Sequence, residues 1–254
     1  MTHLQQQYYD MSKDIVSILN DIKANWDQYP DYLGWLDLNS PIIENPDILF
    51  IGINPGPGRY VQWNWANWDD NKKRLIDPLK KKLPDDYSTL WRSHIEWLKF
   101  NNARKDGEWW DSNKKKYNHY PYYMCELLVR IYRNEYPYPS VSRQELTNIF
   151  EKKVMVTNLF PMATIDIRGL YNIIQQYRSK KHIDVSEICC NHITKLIELV
   201  SPRCIVLLGT TIDEELSGAL KNLHLPYYCI NRDFGWHGKD NIKSMANDIY
   251  KLMR

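Results

Sequence analysis

The stretch DILFIGINPGPGRY, residues 47–60, passes from an apolar run directly into a turn built of glycine, proline and one asparagine. The apolar part, residues 47–53, is short and nearly continuous, which is typical of a strand buried on both faces of a parallel sheet. Pro55 fixes its own φ and restricts the residue before it, so Asn54 is predicted to lie extended with its amide aimed out from the strand end. The alternative is that Asn54 hydrogen-bonds only within its own turn, as asparagine commonly does.

Three later stretches have the character of this first strand. They are KVMVTNLF (153–160), RCIVLLG (203–209) and PYYCIN (226–231), and helical patterns separate them. A helix from about residue 11 to 24 precedes the first strand. Strands that alternate with helices predict an α/β protein with a three-layer αβα fold around a four-stranded parallel sheet.

The helix after the second strand has the clearest local signals. Ser186 stands where it could cap the helix start, and Pro202 lies just beyond the helix end. Further helices are predicted at 211–223 and 241–253. The segment from about 61 to 150 is rich in tryptophan and lysine, and we interpret it as a large, mostly helical insertion after the first strand. The simplest organisation is one domain over residues 1–254.

Composition limits the classes of protein to be considered. Hydrophobic residues make up 43% and charged residues 25% of the 254 residues, which is the balance of an ordinary globular chain. The sequence contains neither a run of about 20 apolar residues nor the pattern of a secretory signal at its start. Its five cysteines include no C-x-x-C pair, so they are predicted to be reduced and mostly buried. These features together predict a cytoplasmic location.

Basic residues are concentrated in three stretches, although the net charge is only +2. The stretches are 71–84, 103–117 and 177–182. Each by itself is typical of a solvated surface. Together with the nearby tryptophans and tyrosines they favour a nucleic-acid partner, because lysine and arginine contact phosphates and aromatic rings stack on unpaired bases.

Ligands of open parallel sheets bind beyond the carboxyl ends of the strands, so the residues that follow each strand are the candidates for a site. The turn after the first strand is a poor phosphate cradle, because Pro55 and Pro57 each remove a backbone N–H. It matches neither a dinucleotide-binding G-x-G-x-x-G nor a Walker loop. These two kinds of nucleotide binding therefore lose support.

Two of the strand ends resemble the uracil-DNA glycosylase superfamily. The stretch Ile51 to Gly56 is similar to the first active-site motif of that family, in the G-x-N-P-G form of the mismatch-specific and thymine-DNA glycosylases and of the single-strand-selective monofunctional enzymes. Val156 to Pro161 resembles the next motif, an asparagine followed by x-x-Pro. The resemblance implies a uracil-DNA-glycosylase-like fold, in which Asn54 positions the attacking water and Asn158 recognises the pyrimidine edge. An amide suits that edge because it carries both a donor and an acceptor.

The fourth strand end departs from the family pattern. The family has His-Pro-Ser or Asn-Pro-Ser there, whereas this chain has NRDFGWHG at residues 231–238. Asn231 can stand for the asparagine form, and His237 is a candidate to stabilise the departing base. Phe234 or Trp236 is a candidate wedge between bases. The alternative for His237 is an exposed loop histidine without a special task.

The resemblance implies a monofunctional DNA glycosylase of base excision repair that needs no metal and no organic cofactor. It would act on uracil or a modified pyrimidine in single- or double-stranded DNA, on a nucleotide flipped out of the stack. Tyr60 and Trp63 are candidates to stack on that base. The motif residues expected to contact the substrate are Gly52, Ile53, Pro55 and Gly56. Two alternatives stay open: a catalytically silent relative that binds nucleic acid or, through the 61–150 insertion, a protein; and an unrelated nucleoside or nucleotide hydrolase.

Overall fold

A computed structural model of the chain describes residues 2–38, 40–54, 119–133, 143–164, 166–231 and 239–254, together with three short strands at 61–62, 75–76 and 88–91. The protein is of the α/β class. The described strands form a central mixed sheet of six strands and a separate antiparallel sheet of two.

The strands are numbered in chain order. They are β1 (Trp35–Leu38), β2 (Ile48–Gly52), β3 (Val61–Gln62), β4 (Leu75–Ile76), β5 (Ser88–Trp91), β6 (Val154–Asn158), β7 (Cys204–Leu207) and β8 (Tyr227–Cys229). The central sheet has the order β5-β1-β6-β2-β7-β8, and β3 pairs with β4. Every residue of β2, β6 and β7 is buried, as expected for strands covered on both faces.

The four strands predicted from the sequence all form, and they are neighbours in the parallel part of the sheet, β6-β2-β7-β8. The prediction of a four-stranded parallel sheet is nevertheless wrong, because β1 extends the sheet antiparallel to β6 and β5 pairs parallel with β1. The sequence WLDL of β1 hides this strand, since Asp37 interrupts its apolar run. β5 lies inside the segment that was expected to be mostly helical.

Eight α-helices lie among the described residues. They are α1 (His3–Met11), α2 (Lys13–Ala24), α3 (His119–Arg133), α4 (Arg143–Lys153), α5 (Ile167–Lys181), α6 (Val185–Val200), α7 (Thr210–Leu223) and α8 (Lys239–Leu252). One group of contacting helices comprises α1, α2, α5, α6 and α7, and another comprises α3, α4 and α8. Two helical groups with one sheet are compatible with a three-layer αβα arrangement. None of the described helices is both long and apolar enough to cross a membrane.

The predicted helices at about 11–24, after the second predicted strand, at 211–223 and at 241–253 correspond to α2, α6, α7 and α8. The predicted cap of α6 is wrong: Asp184, not Ser186, caps the helix. The Asp184 carboxylate accepts from the backbone N–H groups of Ser186 at 3.1 Å and Glu187 at 3.3 Å. The helix begins at Val185, two residues earlier than a cap at Ser186 implies, and the carboxylate of Asp184 also interacts favourably with the helix dipole.

The interpretation of residues 61–150 as mostly helical is incomplete. The described part of this segment contains α3 and the first turns of α4, and also β3, β4 and β5. One of these strands, β5, is an edge strand of the central sheet. The segment therefore contributes to the sheet itself, and the proposed single-domain organisation stays a prediction.

Asp37 of β1 lies at the centre of a buried polar cluster that also contains Tyr8 of α1 and His192 of α6. Its side chain is fully buried, and its Oδ2 accepts from the Tyr8 hydroxyl and from His192 Nε2, the latter at 2.6 Å. Burial, with a further contribution from Asp37, raises the pKa of Tyr8 well above its ordinary value. The Asp37 carbonyl accepts from the Thr157 hydroxyl at 3.0 Å. The cluster therefore links two helices to β1 and to the end of β6.

Replacing Asp37 by alanine should lower the free energy of unfolding by about 3 kcal/mol, because the Tyr8 hydroxyl and the His192 ring would stay buried without their acceptor. Urea unfolding followed by circular dichroism measures the change. The matched control is Asp10→Ala on the exposed surface of α1, which should leave the unfolding midpoint unchanged. A loss below about 1 kcal/mol for Asp37→Ala would contradict the role of the cluster.

Candidate active site

The carboxyl ends of β6, β2, β7 and β8 meet at one edge of the sheet, where ligands of parallel sheets bind. Backbone pairing continues past the strand ends. Leu159 N–H donates to the Gly52 carbonyl at 2.7 Å, and Phe160 N–H donates to the Ile53 carbonyl at 2.9 Å. The two predicted motif segments therefore leave the sheet side by side, held by main-chain hydrogen bonds.

Asn54 is half-buried directly beyond β2. Its amide nitrogen donates to the Met162 carbonyl at 3.2 Å and to Thr164 Oγ1 at 2.9 Å. Both acceptors lie more than 100 residues further along the chain, in the segment that follows β6. The side chain of Asn54 is thus not confined to its own turn, which was the alternative reading of the sequence.

The segment after β6 reaches Asn54 because it pairs with the start of β1. Trp35 stands opposite Met162, while Leu33 N–H donates to the Ala163 carbonyl at 2.9 Å and Ala163 N–H donates to the Gly34 carbonyl at 2.8 Å. Further along, Leu38 pairs with Thr157. Between these two pairs, β1 contributes two residues, 36–37, and the chain after Thr157 contributes four, 158–161. The longer chain therefore bulges at the end of β6. The strand that was not predicted from the sequence, β1, therefore holds the segment that reaches Asn54.

Asn158 is the last residue of β6 and is 5% exposed. It stands opposite Gly52 in the ladder between β2 and β6. Its amide nitrogen is buried and donates to no partner among the described residues. A buried donor without an acceptor costs about 1–3 kcal/mol, and such groups in native proteins call for an explanation, a ligand being one.

Gly52 leaves the space that the Asn158 amide occupies. A Cβ added at Gly52 would lie 2.8 Å from Asn158 Oδ1, closer than real Cβ contacts. A side chain at position 52 would therefore force the Asn158 amide to shift from its present place.

The other predicted site residues divide into two groups. Ile53 is half-buried beside Asn54, and Asn231 is exposed one residue after the buried Ile230, beyond β8. Since β8 is separated from β2 by β7, Asn231 leaves the sheet two strands away from Asn54. Seven candidates lie outside the described residues: Pro55, Gly56, Tyr60, Trp63, Phe234, Trp236 and His237.

Sequence reasoning did not find Thr164, which is 1% exposed and contacts Asn54. Its hydroxyl donates to the Asp166 carbonyl at 2.7 Å. The local signal is weak: one hydroxyl residue shortly after the N-L-F-P motif. Its partner Asn54, beyond the end of β2, is distant in sequence, so no local pattern connects the two.

All five cysteines are free thiols, three of them buried and two partly exposed. Burial raises the pKa of Cys190 to about 11, which keeps its thiol protonated near neutral pH. Within the described ranges, no three side chains from histidine, cysteine, aspartate and glutamate lie close enough together to hold a metal ion. The polar groups at the strand ends of β2 and β6 are amides and a hydroxyl, which bind by donating and accepting hydrogen bonds.

No known protein-family model matches the chain, and no curated protein matches it. The fold and the strand-end amides define an α/β protein with a candidate ligand site at the carboxyl edge of its parallel strands. Membership of the uracil-DNA glycosylase superfamily stays a prediction from the two motifs.

Proposed function

We propose that this protein is a monofunctional DNA glycosylase that hydrolyses the N-glycosidic bond of uracil or a modified pyrimidine in DNA. One observation carries most of the proposal: the buried amide nitrogen of Asn158 has no acceptor among the described residues. Asn158 ends β6, which pairs with β2, the strand that Asn54 follows. The two motifs that resemble uracil-DNA glycosylases supply these two asparagines. Their strand ends are adjacent, as a shared site requires.

The Asn158 amide complements one edge of a uracil base. That edge carries a carbonyl next to an N–H, so the amide nitrogen can donate to the carbonyl while the amide oxygen accepts from the N–H. Cytosine carries an amino group in place of that carbonyl and a bare ring nitrogen in place of the N–H. An Asn158 amide held in the same orientation would then face the wrong donors and acceptors, so the proposal requires a fixed amide at this position to favour uracil over cytosine.

Bond cleavage places negative charge on the departing base. The bond between the sugar carbon and the base nitrogen breaks, its electron pair stays on the base, and the oxygen of a water molecule bonds to the sugar carbon. The proton released from that water neutralises the base anion, directly or through solvent. A donor already aimed at the base carbonyl stabilises this charge as it develops, and needs no reorganisation.

Asn54 would hold the attacking water through its amide oxygen. An amide is a very weak base, so its contribution is orientation of the nucleophile more than removal of a proton. Stacking by Tyr60 or Trp63 and wedging by Phe234 or Trp236 are parts of the same proposal. His237 and Asn231 are the proposed groups near the leaving base.

The direct test uses labelled oligonucleotides that carry a single uracil, in single-stranded and duplex form. They are incubated with the purified protein and then treated with hot alkali, which breaks the strand at abasic sites. Cleavage at uracil, and none in matched oligonucleotides with cytosine or thymine, is the expected result. Asn54→Ala protein prepared in parallel excludes a contaminating glycosylase from the expression host.

Absence of cleavage over a long incubation would overturn the proposal for uracil. If the DNA is still bound in that case, the same assay with modified pyrimidines in place of uracil separates a glycosylase for another base from a catalytically silent binding protein. Release of free base from nucleosides, without action on DNA, would instead favour a nucleoside hydrolase.

A further inference from the structure

We propose that Thr164 is a positioning residue, which holds the amide of Asn54 so that its oxygen and not its nitrogen is presented to the attacking water. The inference rests on the proposed function for its catalytic consequence. The hold on the amide itself stands on the geometry of the segment 162–164 and can be measured without substrate.

Two acceptors fix the orientation of the amide. The Asn54 side-chain nitrogen carries two hydrogens, and the Met162 carbonyl and Thr164 Oγ1 lie at 3.2 Å and 2.9 Å from that nitrogen. Turning the amide over would bring its oxygen against the Met162 carbonyl oxygen, so two acceptors would face each other. The turned amide would lose both hydrogen bonds.

The Thr164 hydroxyl accepts from Asn54 because its own hydrogen is already used. It donates to the Asp166 carbonyl at 2.7 Å, so the chain of hydrogen bonds runs in one direction from Asn54 through Thr164 to Asp166. Bonds in such a chain polarise and strengthen one another. Thr164 is 1% exposed, so bulk water cannot take the place of the hydroxyl.

Both ends of the segment 162–164 are anchored in regular structure. Met162 forms an antiparallel bridge with Trp35 at the start of β1. Two residues beyond Thr164, the Asp166 carboxylate caps α5 by accepting from the Gly169 N–H at 2.9 Å. The acceptors that hold Asn54 are thus fixed by a strand on one side and by a helix start on the other, which is the support that a precise site requires.

Loss of the hydroxyl should affect the chemical step more than DNA binding. Without Thr164 Oγ1 one amide hydrogen loses its acceptor, and the amide of Asn54 can rotate away from the water position. We expect the single-turnover excision rate to fall about 10-fold, which corresponds to the usual free-energy contribution of one hydrogen bond. The dissociation constant for uracil-containing DNA should be unchanged.

The variants Thr164→Val and Thr164→Ser separate the hydroxyl from the shape of the side chain. Valine has nearly the same shape without the hydroxyl, and serine keeps the hydroxyl. Nuclear magnetic resonance of the free protein follows the side-chain NH2 signals of Asn54, which are assigned by their absence in Asn54→Asp. Their hydrogen exchange should accelerate about 10-fold in Thr164→Val and stay near the wild-type rate in Thr164→Ser.

The two readouts distinguish failure of this inference from failure of the proposed function. If exchange of the Asn54 amide is the same in Thr164→Val as in wild type, the inference is wrong whatever the activity. If the wild type does not excise uracil but exchange accelerates as expected, Thr164 holds the amide and the proposed glycosylase activity fails. Should the valine variant not fold, Thr164→Ala is measured in its place, with the serine variant again as the rescue.

Discussion

Replacing Asn54 by alanine should lower the single-turnover rate of uracil excision by about 10³-fold, with little change in the affinity for uracil-containing DNA. The amide holds the nucleophile against the sugar carbon and makes no contribution to holding the phosphate backbone. The rate is measured with enzyme in excess over a labelled oligonucleotide, and the affinity by fluorescence anisotropy on the same DNA.

The matched control for this variant is Asn20→Ala, which removes an exposed asparagine from the surface of α2. It should excise uracil at the wild-type rate. Asn54→Asp is informative as well, because a carboxylate cannot donate to the Met162 carbonyl and would be repelled by it. A loss below about 10-fold in Asn54→Ala would mean that another group orients the water.

Replacing Asn158 by leucine should lower the excision rate by about 10²- to 10³-fold and leave the folded protein as stable as the wild type, or more stable by about 1 kcal/mol. Leucine has a similar size and removes a buried donor that has no acceptor among the described residues. The base carbonyl would lose its hydrogen bond in the transition state. Excision assays and urea unfolding on the same preparations give the two quantities.

The Asn158→Leu variant is decisive because the excision rate is expected to fall while the stability is unchanged or higher. A structural asparagine would lose stability when its amide is removed, by about 1–3 kcal/mol, because its partner would be left unpaired. A loss of that size for Asn158→Leu would therefore show that the amide supports the fold. Full activity with unchanged stability would exclude Asn158 from base recognition.

The strands and helices around the site were largely predictable from local pattern. Strands β2, β6, β7 and β8 are buried in the parallel part of the sheet, so their sequences are short apolar runs that end in turn residues. Asn54 and Asn158 were found because they follow such runs. Asn158 ends β6 and Asn54 follows the neighbouring strand β2, and the prediction that they share one site stays a prediction.

The parts that were missed depend on contacts between distant residues. The sequence of β1 looks unlike that of a buried strand because it contains Asp37. The burial of the Asp37 carboxylate is tolerated because Tyr8 of α1 and His192 of α6 donate hydrogen bonds to it. The cap of α6 was misplaced because Asp184, two residues before Ser186, suits a helix start equally well.

Local pattern in the amino-acid sequence was enough to predict β2, β6, β7 and β8, the helices α2, α6, α7 and α8, and the amides that stand at two of the strand ends, because periodicity and turn chemistry act over a few residues. The tertiary structure alone decided that β1 lies beside β6, that the chain bulges at Asn158, and that Met162 and Thr164 receive the amide of Asn54. These contacts join residues more than 100 positions apart. Their energies depend on burial and hydrogen-bond geometry, which arise only when the chain has folded.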